Sequence, residues 1–457
     1  MSSIALDTAS LDHRPDRFAL EALSGVLHHE WIRDAIAVCG HSSERVRQLP
    51  VRLTLWVVIL LGLFRRHSYV NLLALLFETG RVRRLWAERG APPSSSALSK
   101  ARDRLGVAPL KHLFEKSARE WTAATEGLRF HGRRVFAVDG STLRLPDTPS
   151  NEAFFGRPGV SRGRASYPQL RLVTLRDAGT RICRAMRFGP YRKGEITLAR
   201  ELLLEVESGS LLLFDRNFTA YELLWDLYQG GADFVVRLKR HMKFEVVEEL
   251  APGDEIVRVH LPRALRSSRK DLPATWLLRR ITYCPARGTE EIQLLTTLLL
   301  AEEIPGDAIT CLYPVRWEEE TGYDEVKIHL CVTTTITQPT SLRSKTPTRI
   351  QQELYGLLIA YNALRATMAM AAPRAQTKHP QPALRLSFVH ALERIREATR
   401  DMMQAATIRL VERYEHLLDA IARVVVPLRP GRQYARAVKR KMSNYPLKAP
   451  PGAVSSG

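Results

Sequence analysis

From Ala19 to about Phe130, apolar residues recur at helical spacing. HHEWIRDAIAVCG, PVRLTLWVVILLGLF, YVNLLALLFETGRVRRLWAE and PLKHLFEKSAREWTAA read as amphipathic or buried helices, bounded by Gly40, Gly62, Gly80, Gly90, Pro92 and Pro93. SSSALSKARDRL, ending at Leu105, predicts a basic helix with Ser95 or Ser96 as its N-cap. Its Lys100, Arg102 and Arg104 read equally as phosphate contacts and as a solvated face.

At Arg134 the period changes. RRVFAVDGSTL is a β-type run expected to end at Asp139-Gly140-Ser141. QLRLVTLRD and RICRAMRFGP, either side of Asp177 to Thr180, predict a hairpin. A helix over Glu195 to Glu207 follows, then the apolar strand LLLF ending in Asp215. A helix at Ala220 to Tyr228 and a strand DFVVRLK complete a β-β-β-α-β-α-β order, the pattern of a mixed α/β sheet. Between 240 and 308, EIVRVHL, TWLLRRITYC and EIQLLTTLLL are separated by Pro, Gly and Ser and predict a β-rich insertion. Beyond it, helices are expected at Arg349 to Ala372 and, with one break, at Phe388 to Val426, joined by the Pro-rich PRAQTKHPQPA. From Arg429 to Lys448, seven residues are Lys or Arg and none is acidic.

The stretch between insertion and helix, Tyr313 to Lys327 (YPVRWEEETGYDEVK), carries the densest polar chemistry. On a helix turning about 100° per residue, Tyr313, Arg316, Glu320 and Lys327 share an arc of roughly 60°. The same pattern also describes a solvated helix with Arg316 and Glu320 paired at i,i+4. The rest of the chain tips the balance. Lys plus Arg number 68 against 48 Asp plus Glu, a net charge of +20 over 457 residues. That excess points to a polyanion, nucleic acid or an anionic membrane. The most apolar run, Leu53 to Phe64, is 12 residues long and too short to span a bilayer of about 30 Å. MSSIALDTAS lacks the basic-then-apolar order of a secretory signal. Five scattered cysteines form no CxxC pair, and no HExxH or GxxxxGK[ST] is present. The chain therefore reads as a cytoplasmic, DNA-directed protein without zinc or ATP chemistry.

Asp139 and Asp215 stand at strand ends, where ligand sites gather in α/β sheets. Asp139 also reads as a plain Asx turn before Gly140, and Asp215 as a helix cap. Three carboxylates, Asp139, Asp215 and Glu320, brought within ~4–6 Å would repel by ~1–4 kcal/mol per pair. Divalent cations relieve that repulsion, and hard oxygen ligands favour Mg²⁺ or Mn²⁺. Two such ions support in-line phosphoryl displacement, with Arg316 and Lys327 on the phosphates and Tyr313 donating a further hydrogen bond.

Tyr313-x2-Arg316-x3-Glu320-x6-Lys327 resembles, without a spacing error, the signature of the insertion sequence 4 family of DDE transposases. The similarity extends to RQLPVRLTLWVVILLGLFRRHSY, SALSKARDRLG, AVDGSTLRLPDTPSN, LLLFDRNFTAYELLWDLYQGGADFVVRLK, LRSKTPTRIQQELYGLLIAYNALRATMAMAA and RAVKRKMSNYPLK, nearly the whole chain. It implies a catalytic and metal-binding triad of Asp139, Asp215 and Glu320, with Tyr313, Arg316 and Lys327 on DNA phosphate. It implies an α/β fold with a ribonuclease H-like mixed sheet core and a β-rich insertion before the glutamate. The domains expected are a helical N-terminal DNA-binding domain (1–130), a core in two parts (131–239 and 309–372), the insertion (240–308) and a basic helical C-terminal region (373–457). The implied reaction is cut-and-paste transposition with two Mg²⁺ ions, Mn²⁺ serving in their place. The enzyme would bind terminal inverted repeats, cut through a hairpin and join target DNA, working as a homodimer in the synaptic complex near the nucleoid. The family usually reads D-R-G-F after the second aspartate; here Asn217 replaces Gly, and its tolerance of positive φ is expected to preserve the turn. Trp317 reads as packed core or as a stacking platform for a base. Asp324 is expected to pair with Lys327, and Arg192 and Lys193 to contact DNA or lie in a solvated turn. A DNA-binding descendant without activity and a metal-dependent nuclease that does not join ends are the alternatives.

Overall fold

The computed structural model describes residues 26–38, 40, 49–78, 91–159, 165–239, 242, 244–285, 291–331, 341–404 and 410–427. The basic stretch 429–448, the polar start of the chain, Cys39 and the segment GRVRRLWAE lie outside them.

The N-terminal part is helical: α1 (His29–Ala37), α2 (Val51–Leu63), α3 (Tyr69–Phe77), α4 (Ser95–Leu105) and α5 (Ala108–Ala124). Helix α2 is apolar on every side and is buried on every side, as a 13-residue run too short for a membrane must be. Among the described residues no helix is long and apolar enough to cross a membrane. Helix α4 is capped by Ser94, whose Oγ accepts the Ala97 amide at 3.1 Å, one residue earlier than the pattern predicts. Ser94 is the residue left in extended conformation after Pro92-Pro93, so its side chain is the one free to reach the first turn.

The sheet follows. Strand β1 (Arg129–Phe130) pairs with β2 (Arg133–Arg144); after α6 (Pro149–Phe155) come β3 (Gln169–Asp177) and β4 (Cys183–Pro190), the expected hairpin. Then α7 (Glu195–Leu202), β5 (Ser210–Phe214), α8 (Tyr221–Gln229) and β6 (Asp233–Arg237) alternate. Strands β5 and β6 are parallel to β2, and β3 runs antiparallel to it, giving the order β4-β3-β2-β5-β6. The segment after β6 contributes β7 (Glu245–Ala251), β8 (Asp254–His260), α9 (Arg263–Ser268), β9 (Thr275–Tyr283) and β10 (Ile292–Thr296). Strand β10 pairs antiparallel with β6, so these strands extend the same sheet. The buried Arg279–Asp254 pair ties β9 to β8.

Helix α10 (Gly306–Leu312) leads into one unbroken helical path of three pitches. Tyr313–Arg316 is 3₁₀, α11 spans Trp317–Asp324, and Glu325–Leu330 is a π turn closed by Cys331 N–H donating to Val326 C=O at 2.9 Å. Helix α12 (Pro347–Ala371) runs through the protein interior, and α13 (Phe388–Gln404) and α14 (Leu410–Ala422) occupy the stretch expected to be helical with one break. Their ends meet through the Leu386–Val425 bridge. Helices α2 and α12 touch backbone to backbone: a Cβ on Gly62 would lie 2.8 Å from Gly356 O, and one on Gly356 would lie 2.7 Å from Val58 O. One apolar cluster joins these helices to α5, α13, α14 and residues of β2–β4.

Candidate active site

The polar arc of Tyr313 to Lys327 meets the sheet at the carboxyl end of β5. Strand β2 does not stop at Asp139 but continues to Arg144, because β3 pairs with it from Phe136 to Arg144; Asp139 lies opposite Thr174. On its other side β2 is paired with β5 in parallel register, Val138 beside Phe214, and β5 ends there. The next residues are Asp139 and Asp215. Their main chains therefore run side by side, about 5 Å apart, at the point where the sheet opens.

Each aspartate is braced by local donors. Asp139 Oδ1 accepts the Gly140 amide at 2.7 Å. Asp215 Oδ1 accepts the Asn217 amide at 2.7 Å, and its Oδ2 accepts Asn217 Nδ2 at 3.1 Å. Asn217 sits in a 3₁₀ turn, and the positive-φ residues outside glycine among those described are His131 and Arg181, so the turn at Asn217 uses no positive φ. What Asn supplies in place of Gly is a side-chain donor to the carboxylate. Two tyrosines of the helical path hold the adjacent carbonyls: Tyr313 O–H donates to Phe214 O at 3.1 Å, and Tyr323 O–H donates to Asp139 O at 2.9 Å.

The mixed pitch decides which side chains enter the site. A 3₁₀ turn advances 120° per residue, so Tyr313 and Arg316 eclipse. Glu320 follows one α turn later, and Arg316 Nη2 donates to its Oε1 at 3.0 Å. Glu320 is therefore near the aspartates yet paired with a cation, as its i,i+4 spacing from Arg316 allows. Lys327 lies within the π turn. Its ammonium reaches Ser141 Oγ on β2 and the face of Tyr323, 5.3 Å from the ring centroid. Asp324 and Asp139 both act on Lys327 electrostatically, opposing the burial that lowers its pKa.

The charges couple. Burial, offset by the Gly140 hydrogen bond and reinforced by Asp215 and Glu320, pushes the Asp139 carboxyl up to about 6; Arg316 opposes the rise. Burial pushes the Tyr313 phenol up to about 12. Arg316 Nε is buried and has no hydrogen-bond partner among the described residues. Its guanidinium lies 5.3 Å from the ring centroid of Trp317, which is 48% exposed rather than packed in the core. Glu195, at the start of α7, was not signalled by any spacing: its side chain lies where a Cβ on Gly140 would sit, 2.6 Å from Glu195 Cδ. Ser141, Asn217 and Tyr323 were likewise missed, since their roles depend on what lies across from them. Only the Gly at 140, an odd residue within a strand, could have hinted at a close neighbour.

Glu320's neighbours point elsewhere. Glu318 pairs with Arg181; Glu319 is fully buried, its carboxylate touching Thr174 Oγ1 and lying 3.1 Å from Arg176 Nε. That last contact is not aligned as a hydrogen bond, and burial pushes the Glu319 carboxyl up to about 8 despite Arg176. Arg102 is buried in bonds to Gln352, Tyr69, Ser344 and Arg349 O, so it neither meets phosphate nor forms a solvated face; Lys100 and Arg104 are exposed. Lys193 pairs with Glu201 at 2.6 Å, and Arg192 is exposed.

The donors at Asp139, Asp215 and Glu320 are hard oxygens suited to Mg²⁺ or Mn²⁺, and the raised Asp139 pKa marks a place where a cation would relieve repulsion. Among the described residues no three His, Cys, Asp or Glu side chains converge into a ready-made metal site, because Glu320 is turned to Arg316.

Residues 17–115 match the family described as insertion element 4 transposase N-terminal, and residues 130–363 match the family described as transposase DDE domain. The chain is 29% identical over 435 residues to the transposase InsG for insertion sequence element IS4 of Escherichia coli (strain K12), covering 94% of both chains. A solved structure, the cryo-EM piggyBac transposase synaptic complex with hairpin DNA, matches at a TM-score of 0.42 and 14% identity over 93% of this chain and 88% of that one.

Proposed function

The chain belongs to the insertion sequence 4 family of DDE transposases, and from that membership we propose that Asp139, Asp215 and Glu320 form its metal-binding catalytic triad. The observation carrying the proposal is the register that seats Asp139 beside Asp215, with an Asp139 carboxyl raised to about 6. The order β4-β3-β2-β5-β6 is read as a ribonuclease H-like core, and the strands 245–296 as its insertion.

Two divalent cations held by the triad would activate a water or a 3′-hydroxyl and neutralise the leaving oxygen. The protein's own residues do the rest. Gly140 N–H and both Asn217 donors fix the aspartates' rotamers. Tyr313 and Tyr323 anchor the two strands that carry them. Arg316, whose Nε has no partner among the described residues, and Lys327 hold the phosphate; phosphate on Arg316 would free Glu320 from their ion pair, and Glu320 would then be available with the two aspartates to hold a divalent cation. Tyr313 reaches phosphate only by releasing Phe214 O. Trp317 offers an exposed face to an unstacked base. The DNA bound would be the inverted repeats of the chain's own element, paired by two copies, cut through a hairpin and joined to target.

The test is purified protein, linear DNA carrying those repeats, and Mg²⁺. Hairpin and strand-transfer products are expected, and Asp215→Ala should remove both while end binding persists. Cleavage without hairpin or joined product would leave only a nuclease, and unchanged products from Asp215→Ala would remove the triad.

A further inference from the structure

A second concentration of positive charge lies far from the triad, where the C-terminal end of α2 meets α13. Arg396 Nε donates to Leu63 O at 2.9 Å, and Arg343 Nη1 donates to His67 O at 2.8 Å and Arg65 O at 3.3 Å. A guanidinium on the last carbonyl of a helix, or on the carbonyls of the turn that follows it, has an ordinary structural reading. It accounts for Arg396 and Arg343. It does not account for Arg66 and Arg400, which are exposed and, among the described residues, form no ion pair or hydrogen bond. Arg400 lies over the Phe64 ring, 5.5 Å from its centroid, so it is held at the cluster. Burial and then Arg66 and Arg400 push the Arg396 pKa down; burial and then Arg400, Arg396 and Arg343 do the same to His67. The groups therefore repel one another across three elements. Of the acids beside them, Glu353 binds Arg65 and the amides of Arg343 and Ser344, whereas the exposed Glu393 partly offsets the charge on Arg396.

The cluster's position relates it to the triad. Ser341 and Leu342 donate their amides to the carbonyl of Arg144, the last residue of β2, and Arg343 follows directly. Strand β2 rises five residues from Asp139 to Arg144, about 17 Å, or about five base pairs of duplex at 3.4 Å each. We propose that Arg66 and Arg400, with Arg343 and Arg396 set behind them, hold backbone phosphates of duplex DNA about five base pairs or more from the scissile phosphate. The inference rests on the transposase reading for the identity of the duplex, but not for the phosphate chemistry.

The experiment measures duplex affinity of the full chain by fluorescence anisotropy across a salt series, on end-repeat DNA and on an unrelated duplex. Arg66→Ala/Arg400→Ala should flatten the slope of log K against log salt by about 1.8, two phosphates' worth, on both duplexes. Arg66→Lys/Arg400→Lys should retain the slope. Arg33→Ala, at an exposed arginine ion-paired with Glu30 in α1, should leave it unchanged, and an unshifted melting temperature shows that each variant is folded. A wild-type slope in the double alanine variant overturns the inference, as does equal flattening by Arg33→Ala. Equal affinity of the wild type for both duplexes counts against the transposase reading alone, and absence of all duplex binding overturns both.

Discussion

Two groups of carboxylates of the same helical path have opposite fates. Glu319 and Glu325 are buried against Arg176 and against Arg365 and Arg181, whereas Glu320 stays partly exposed beside the aspartates. The Glu325 pair is multiply bonded: Arg365 grips Glu325 through two nitrogens while Tyr361 O–H donates to it at 2.9 Å. Burial alone would raise the Glu325 pKa, but Arg365 and Arg181 bring it down, so it is a charge fully spent on holding helix to helix. In the candidate site the balance is reversed, since Asp139 is raised and its cations are few. Glu319, pushed up to about 8 and yet facing Thr174 and Arg176, shows that incomplete compensation alone does not mark a catalytic carboxylate; what sets Asp139 apart is that other carboxylates, Asp215 and Glu320, add to its rise.

That contrast can be broken by substitution. The largest effect is expected from Glu320→Gln, which should lower strand cleavage by at least about 10³-fold with the melting temperature nearly unchanged, read on gels and by calorimetry. A matching loss of stability would make Glu320 another structural pairing. Next, Glu325→Ala should cost about 3–5 kcal/mol by stranding buried Arg365, measured by denaturant unfolding; a cost below about 1 kcal/mol, the worth of an exposed pair, would place it on the surface. Smallest, and of opposite sign, is Asp139→Asn in metal-free protein. A folded-state pKa of about 6 against an unfolded value of 3.8 means that the native state binds the extra proton between those values. Stability conferred by that proton is lost as pH rises through 6. Asp139→Asn should therefore stabilise the metal-free protein by about 1–2 kcal/mol at pH 7 to 8, allowing for partial exposure, and by nothing below pH 4. Melting curves at the two pH values check this, and Mg²⁺ should raise the wild-type midpoint but not the variant's.

Much of this was legible in the chain because local pattern and tertiary outcome agree. The apolar LLLF, the hairpin about Asp177 to Thr180, and an α2 too short for a membrane follow directly from period and length. The pairing of Arg316 with Glu320, one of two readings of that spacing, coexists with their nearness to Asp139. Other features depend on partners distant in sequence. That β2 continues past Asp139 depends on β3, thirty residues on. Arg102 looks like any basic helix residue until Gln352 and Ser344 arrive to bury it. The π turn that contains Lys327 leaves no periodic trace, and the contact of Lys327 with Ser141 on β2 could not be read from the helix alone. Glu318 and Glu319 could be set apart from Glu320 by angle, but the arginines that claim them could not be named.

The close approach of Gly62 and Gly356 has a consequence in time. Helix α2 packs on α1 and α4, but the face that meets α12 gains its cover only when α12 leaves the ribosome about 300 residues later. At synthesis rates of about 5–20 residues per second, that interval is roughly 15–60 s. For that period the nascent protein carries an open greasy seam that nothing in its own first half can close. Its yield in the cell should thus be governed less by final stability than by translation speed and by the holdase capacity available while the second glycine is still being made.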